Sequence, residues 1–464
     1  MGNLFYGLNI ARNTLKAQTS ALNVTAHNVA NANTPGYSRQ QVQLAAVSDT
    51  GGGGLRTGTI LKIGSGVEAK QVSRARFALF DEIFRKENQN LNFNITTESL
   101  LHQIEILFDE PSDRSLAGIM NDFFNGWLDI ANTPQDMAAR QSLYSIAEEM
   151  TDRLKRIYNA LIIMREDVDT ELSAIPKQIN EISAEIADLN VAIRKSEAQG
   201  GIANDLRDKL DKLIDDLSEF ADVRAVGQKD GTTTILIGSR VVVEHDTYCE
   251  LSSVTTLADN SGLKKTVIVS EDGIEYVPQY GKLGALINFR DNILINLMEG
   301  LDKLAESIVT TINFDHRVGY GLDGVDGRNF FEPNKTNAFN IEVSKDIKDV
   351  THIAASGDGS KGDNTNALNI NELKNRRVVD GNFTLQEFYN GFIANLGVMA
   401  REAKSGRTNQ ELLVSQIDNS RESIKGVSID EELVYMIQIQ RIYQSAARMI
   451  VVMDQLLEEV INLK

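Results

Sequence analysis

The chain has 464 residues, 42% hydrophobic and 24% charged, enough apolar material for roughly two to four globular domains and a composition that is neither disordered nor fibrous. With 47 Lys plus Arg against 65 Asp plus Glu, the net charge of -18 leaves no overall footprint for a phosphate backbone, which argues against nucleic acid as a partner. No apolar run approaches the ~20 residues that span a bilayer, so no membrane is expected either, and Met1 to Asn13 lacks the basic segment and continuous apolar stretch of a cleaved secretory signal.

The first element is helical. Hydrophobic residues recur at alternating four- and three-residue steps from Leu4 through Leu8, Ala11, Leu15 and Leu22 to Val29. A single helix with that pattern cannot hide its own apolar seam. Asn28, Asn31 and Asn33 lead into Thr34, Pro35 and Gly36, where proline fixes one turn position and glycine supplies the next, predicting a type II or related turn. Alternation from Arg39 to Val47 and over residues 59–73 predicts strands on either side of a loop at Gly51 to Gly54.

Three helices are expected next, from Phe77 to Phe108, from Ser115 to Ile130, and one opening at Thr133 and Pro134 as N-cap and first helical residue. The longest periodic signal runs from Leu154 to Ile193, with Pro176 interrupting it without a change of phase. Gly200 and Gly201 break it and Leu206 to Phe220 resumes it, predicting two antiparallel helices joined by a short turn. Residues 223–280 change texture to short strand-like runs, including TTTILI, RVVVEH and TVIVS, and read as a small inserted β domain. The single cysteine, Cys249, lies in this stretch, cannot make an internal disulfide, and is expected to be buried.

Helical periodicity returns from Leu283 to Ile312, followed by polar loops, a short strand candidate near Phe339 to Val343, and helices from Leu385 onward. Gly426 should stop one helix, and Ser428 with Glu431 forms a capping box for the last. In that last helix Tyr435, Ile439, Ile442, Met449, Met453, Leu456 and Val460 form one apolar seam, and Met436, Tyr443, Ile450 and Leu457 a second stripe beside it. Together they exceed what one partner helix can cover. Tyr443 and Arg448 are expected as core and salt-bridge positions, and the two terminal helices as a pair, within one chain or between copies.

Local chemistry is sparse. The histidines at 27, 102, 245, 316 and 352 match no metal spacing, and one cysteine excludes a CxxC site. Asp323 and Asp326 in GYGLDGVDG do not follow the EF-hand order and predict a polar turn. Asp109 and Glu110 before Pro111 suit solvated carboxylates at a helix end better than an acid–base pair. Neither GxSxG nor a P-loop occurs. No catalytic, metal or cofactor residues are assigned, and an enzyme is not expected.

The stretch SALNVTAHNVANANTPGYSRQ, Ser20 to Gln40, resembles the N-terminal signature of the flagellar axial family of rod, hook and hook-associated proteins. FFNGWLDIANTP (Phe123 to Pro134), AARQ (Ala138 to Gln141), LGALINFRD (Leu283 to Asp291), GDNTNAL (Gly362 to Leu368), GVSIDEEL and QRIYQSAARMI (Gly426 to Ile450) are similar, in the same order, to its hook-associated branch. The match is poorest over residues 223–280.

This resemblance implies a structural subunit at the junction of hook and filament. Such a subunit is exported unfolded by the flagellar type III apparatus without a cleaved signal and assembled outside the cell as a ring. Its implied partners are further copies of itself, hook protein, a filament-side hook-associated protein or flagellin, and an export chaperone that binds the C-terminal helix, here through the Met436, Tyr443, Ile450 and Leu457 stripe. Asn28, Asn31, Asn33, Pro35, Gly36 and Tyr37 carry the family motif. A hook or filament subunit is the alternative within the same architecture. The expected fold is mainly α with a small inserted β domain, a long coiled-coil hairpin and paired N- and C-terminal helices. Its parts are an innermost terminal domain (1–45 and 428–464), a helical domain (46–222 and 281–427) and the β insertion (223–280). The first and last 40 or so residues are expected to be mobile in an isolated subunit, because an unpaired helix leaves ~1–2 kcal/mol of backbone entropy per residue uncompensated.

Overall fold

The computed structural model describes residues 2–47, 64, 66–109, 115–198, 200–257 and 263–462. The Gly51 to Gly54 loop, most of the strand run expected before Val67, Glu110 and Pro111 lie outside them. In chain order come α1 (Gly2–Asn31), the antiparallel hairpin β1 (Gln40–Ala46) and β2 (Val67–Arg74), α2 (Ala78–Phe108), α3 (Leu116–Asn132), α4 (Met137–Glu197) and α5 (Asn204–Leu217). Strands β3 (Val223–Gly227), β4 (Thr233–Ile237), β5 (Arg240–Glu244), β6 (Thr247–Tyr248), β7 (Leu251–Leu257), β8 (Lys264–Ser270) and β9 (Glu275–Tyr276) follow. The remainder is helical: α6 (Gly281–Asn288), a π-helical turn at Phe289–Ile293, α7 (Leu294–Arg317), α8 (Thr365–Glu372), α9 (Leu385–Lys425) and α10 (Ile429–Asn462).

The chain forms two compact units, one of Met1–Gln89, Lys177–Leu251 and Gln410–Lys464, the other of Asn90–Pro176 and Ser252–Asn409. Residues 223–280 contribute to both. Strands β3 to β6 make a four-stranded antiparallel meander, and β7 to β9 a separate three-stranded sheet. Cys249 is half-buried rather than buried, because it follows β6, the short edge strand of the meander. The expected strand near Phe339 to Val343 is reduced to an isolated bridge between Phe331 and Val343.

In the first unit, α4 supports the meander and the start of β7 through asparagine side chains that act as backbone mimics. The Asn190 amide donates to the carbonyls of Thr233 and His245, each at 2.9 Å, and its oxygen accepts from the Thr233 N–H at 2.9 Å. Asn180 exchanges the same two bonds with Leu251, at 2.8 and 2.9 Å. Part-buried peptide groups at the strand ends and the adjoining turn thus gain hydrogen-bond partners. Pro176 sits inside α4 without breaking it, and Leu172, Ile175, Ile179 and Ile186 stay buried across the proline.

The second unit is centred on an aromatic cluster. Phe123 packs edge-on against Trp127 and Phe330, and Trp127 lies 5.4 Å from Phe330 between ring centroids. All three are essentially inaccessible. Helix α3 begins at Ser115, whose hydroxyl accepts from the Gly118 N–H at 3.2 Å. It ends at Thr133, whose backbone N–H and hydroxyl both return to the Asp129 carbonyl, each at 3.1 Å. Thr133 therefore closes α3 instead of opening the next helix. Helix α4 opens two residues beyond Pro134, where the Asp136 carboxylate accepts from the Ala138 N–H at 2.8 Å.

Candidate assembly site

Helices α1 and α10 lie antiparallel within the single chain, a pairing that periodicity alone leaves open between one chain and two. Gly7 lies against Met453 and Asn28 against Glu432, and 21 residues separate the two contacts on each helix. Both terminal segments are helical and share a seam.

That seam is not the leucine stripe. On α1 the buried positions are Gly7, Ala11, Ala17, Gln18, Ala21, Thr25 and Asn28, whereas Leu8, Leu15, Leu22 and Val29 are half-buried on its flank. Small side chains bring the backbones close: a Cβ on Gly7 would stand 2.7 Å from the Met453 methyl carbon. A tight seam displaces larger residues to its sides.

The stripes of α10 change places in the same way. Glu432, Ile439 and Ala446 are buried and Met436, Ile450, Met453 and Leu457 half-buried, so the stripe expected to stay open mostly faces inward. Tyr435, Ile442, Met449 and Leu456, expected in the seam, are each 41–46% exposed. Tyr443, expected in the core, is exposed, and the exposed Arg448 makes no ion pair among the described residues. The side chains of Leu4 and Val460 fall outside the described structure.

The family motif forms a knot at the end of this pair. Thr34 to Tyr37 make the expected type II turn, with Tyr37 N–H donating to the Thr34 carbonyl at 3.1 Å and Gly36 at φ +79°. Chain reversal then brings Asn28 to Gln40. The Asn28 amide donates to the Gln40 carbonyl at 2.9 Å and to Glu432 Oε2 at 3.1 Å, while its oxygen accepts from Gln40 N–H and Tyr37 OH, each at 2.9 Å. Arg39 Nε donates to Glu432 Oε1 at 2.7 Å, and Arg39 N–H to the Lys425 carbonyl at 2.8 Å. Glu432 is 1% exposed, so its charge is offset inside the fold. Burial, with Asp205, Asp208 and Glu432 nearby, pushes the Tyr37 phenol above its ordinary range and keeps it a neutral donor. Asn31 bonds the His27 carbonyl at 3.0 Å, as a helix-terminal asparagine does. Asn33 and Pro35 are exposed.

Beside the knot lies a charged clasp that periodicity did not reveal. Asp208, Asp211 and Asp215 share one face of α5. Arg74 from β2 reaches Asp208 and Asp211, each at 2.8 Å; Arg76 reaches Asp81 at 2.6 Å and Asp211 at 2.9 Å; Arg85 from α2 reaches Asp215 at 2.7 Å. Arg421 from α9 bridges Asp81 at 2.9 Å and Asp215 at 2.6 Å and lies 4.1 Å from the centre of the Phe84 ring. Ser38, two residues past the turn, donates its N–H and hydroxyl to Asp208 at 2.9 and 2.7 Å. Burial opposes ionisation of Asp211, but Arg76, Arg74 and Arg85 overcome it and hold the carboxyl below its ordinary range. The visible signal was the three-then-four spacing of aspartates opposite Leu210 and Leu217. Its meaning depends on arginines from three other segments.

The remaining motif segments converge in the second unit. Arg140 of AARQ is 1% exposed and donates to the carbonyls of Pro134, Val350 and Ile353 at 2.6–3.3 Å. Burial lowers its pKa to about 10, which leaves it charged at neutral pH. Asn364 and Asn366 of GDNTNAL donate to the carbonyls of Ala131 and Ala354, at 2.6 and 2.7 Å. Arg290 of LGALINFRD, equally buried, binds Asp169 at 2.8 Å and Asp291 at 2.7 Å. His316 accepts from Ala354 N–H at Nε2, 3.0 Å, which leaves Nδ1–H to donate to the Arg328 carbonyl at 2.8 Å. These are framework roles.

Among the described residues, no group of three His, Cys, Asp or Glu side chains is placed to hold a metal ion. Asp323 is tied to Arg328 at 3.0 Å and accepts from the Val325 N–H at 3.2 Å, the geometry of a closed polar turn.

Residues 101–331 match the family model of the flagellar hook-associated protein FlgK helical domain, residues 8–37 that of the flagella basal body rod protein, and residues 423–463 the C-terminal model of the flagellar basal body rod FlgEFG proteins. The last two matches cover α1 and α10. The chain is 30% identical to flagellar hook-associated protein 1 of Bacillus subtilis (strain 168), over 100% of this chain and 99% of that protein. It is 24% identical to the protein of that name in Salmonella typhimurium, over 98% and 99%. The flagellar hook junction protein FlgK from Burkholderia pseudomallei shares the fold, with a TM-score of 0.65, 16% identity, and coverage of 74% of this chain and 100% of that one.

Proposed function

We propose, since the chain belongs to the flagellar hook-associated protein 1 family, that the antiparallel pair of α1 and α10 is its assembly element and that the open face of α10 is covered by neighbours in the flagellum. The protein is a structural component of the bacterial flagellum at the hook–filament junction. The observation that carries the proposal is the row of Tyr435, Ile442, Met449 and Leu456, half-exposed on a helix whose other face is already closed by α1. Four such side chains in line are an incomplete interface. Each Leu, Ile or Met buried there would contribute ~1.5–3 kcal/mol, and copies packed side by side would line the innermost layer. Hook protein on one side and a filament-side hook-associated protein or flagellin on the other are the further partners.

Before assembly the same row must be shielded, and an export chaperone on the C-terminal helix would do this. The inward stripe of Met436, Ile450 and Leu457 becomes available to it only when α1 is displaced, a state that export of an unfolded chain by a type III apparatus would supply. Deleting the protein should leave hooks without attached filaments and release flagellin into the medium. Replacing Ile442 and Met449 together by Asp should reproduce that phenotype while the purified variant keeps its helical circular dichroism. Normal filaments on either strain would refute the proposal.

A further inference from the structure

The exposed charges of the α1–α10 pair are distributed in three bands along its length. Near the base, Asp430 and Glu431 are exposed; in the middle stand Arg441 and Arg448; towards the end of α10 come Asp454, Glu458 and Glu459. Helix α1 carries no carboxylate, and its Arg12 and Lys16 are exposed. The antiparallel register set by Gly7 with Met453 and Asn28 with Glu432 puts these two cations alongside residues 444–448 of α10, which reinforces the middle band. Arg12, Lys16, Arg441 and Arg448 make no ion pair among the described residues. Four unneutralised cations at the centre of an otherwise acidic element lack a counter-surface within the chain.

We propose that the counter-surface is a second copy of the same pair, parallel and displaced along the helix axis by about 20 Å. This rests on the junction reading and adds the register of its subunits. Packed level, two parallel copies would set cationic band against cationic band beside the apolar row, and a level antiparallel arrangement would do the same because the band is central. Like charges facing one another in a closing interface are unfavourable. The band centre is about 12 residues from the distal acids and about 14 from the basal ones, or about 19 and 21 Å at 1.5 Å per residue. A single displacement of about 20 Å therefore satisfies both ends: the distal acids of one copy meet the cations of its neighbour, whose basal acids meet the cations of the first. The Tyr435, Ile442, Met449 and Leu456 row supplies burial in any register, and the charges select this one.

The test uses full-length protein in cells lacking their own copy, in a Cys249→Ser background, with a short bis-maleimide cross-linker applied to isolated flagella. A chain carrying both Arg448→Cys and Glu458→Cys should give a ladder of cross-linked multimers, and chains carrying either substitution alone should give none. Dimers from Arg448→Cys alone would overturn the stagger, because they report a level register. A Cys-bearing chain present in the flagella without any ladder would overturn it too. Absence of the Cys249→Ser chain itself from the flagella would sink the junction reading and this inference together. As a second measurement, Arg441→Glu with Arg448→Glu should lower the number of attached filaments by at least about tenfold, and added Asp454→Lys, Glu458→Lys and Glu459→Lys should restore most of them. Failure of the charge swap to restore filaments would count against the pairing.

Discussion

The two units solve the same problem with opposite chemistry. The first gathers its segments with ions: Arg74, Arg76, Arg85 and Arg421 are interleaved with Asp81, Asp208, Asp211 and Asp215, and Glu432 is paired with Arg39. The second uses rings and amides: Phe123, Trp127 and Phe330 fill its centre, and Arg140, Asn364 and Asn366 satisfy buried carbonyls around it. A charged clasp is demanding in geometry and comparatively modest in net energy, because desolvation cancels much of the attraction. An aromatic core is tolerant in geometry and dominated by burial. The clasp of the first unit thus demands exact geometry, and the centre of the second draws mainly on burial.

Truncation on each side should break that comparison most strongly. Trp127→Ala is expected to cost about 3–5 kcal/mol by denaturant unfolding, as large-to-small changes at fully buried aromatics do. Asp211→Ala should cost about as much, 3–5 kcal/mol, although it removes little apolar area, since it leaves Arg74, Arg76 and Arg85 short of a shared partner. A clasp variant within about 1 kcal/mol of the parent would mean that the ion network is ornamental.

Acid should separate the two chemistries next. Burial drops the His316 pKa to about 4 from an ordinary 6.5, so the folded ring stays neutral while the unfolded one takes a proton. Stability from this group is complete above pH ~6.5 and is lost as pH falls towards ~4, by roughly 3 kcal/mol. Asp302 and Asp315, pushed up by burial, work in the opposite direction in the same unit. The measurement is therefore the difference in pH slope between the parent and His316→Gln. Asp211 behaves otherwise: its carboxyl lies below the ordinary range, so its contribution persists above the usual aspartate pKa and disappears only as pH falls through the depressed value. A tryptophan signal from Trp127 that changes between pH 6.5 and 4, before backbone protection around α5 is lost, would sharpen the contrast.

Smaller effects belong to the knot. Gly36→Ala should cost about 1 kcal/mol, because alanine resists the positive φ even though the nearest side-chain atom, Lys212 Cβ, is 3.5 Å from the added carbon. Ser428→Ala should cost about 0.5–2 kcal/mol through loss of the cap to the Glu431 N–H, and thermal unfolding would measure both.

The sequence by itself determined what local chemistry can determine. Thr34-Pro35-Gly36 specified a turn because only certain residues tolerate its angles, Gly426 and Ser428 separated α9 from α10, and Pro176 stayed within a helix whose apolar phase continues on both sides. The motif segments also carry the family likeness in the sequence itself. Only the tertiary structure decided which stripe of α10 faces inward. Two adjacent apolar stripes score alike in periodicity, and the choice was made by Gly7, Ala11 and Ala21 on a helix more than 400 residues away, where small side chains admit the closest approach. The clasp was illegible for the same reason. Aspartates spaced along α5 resemble a solvated face until Arg74, Arg85 and Arg421 arrive from three separate elements, and no local signal records that they will.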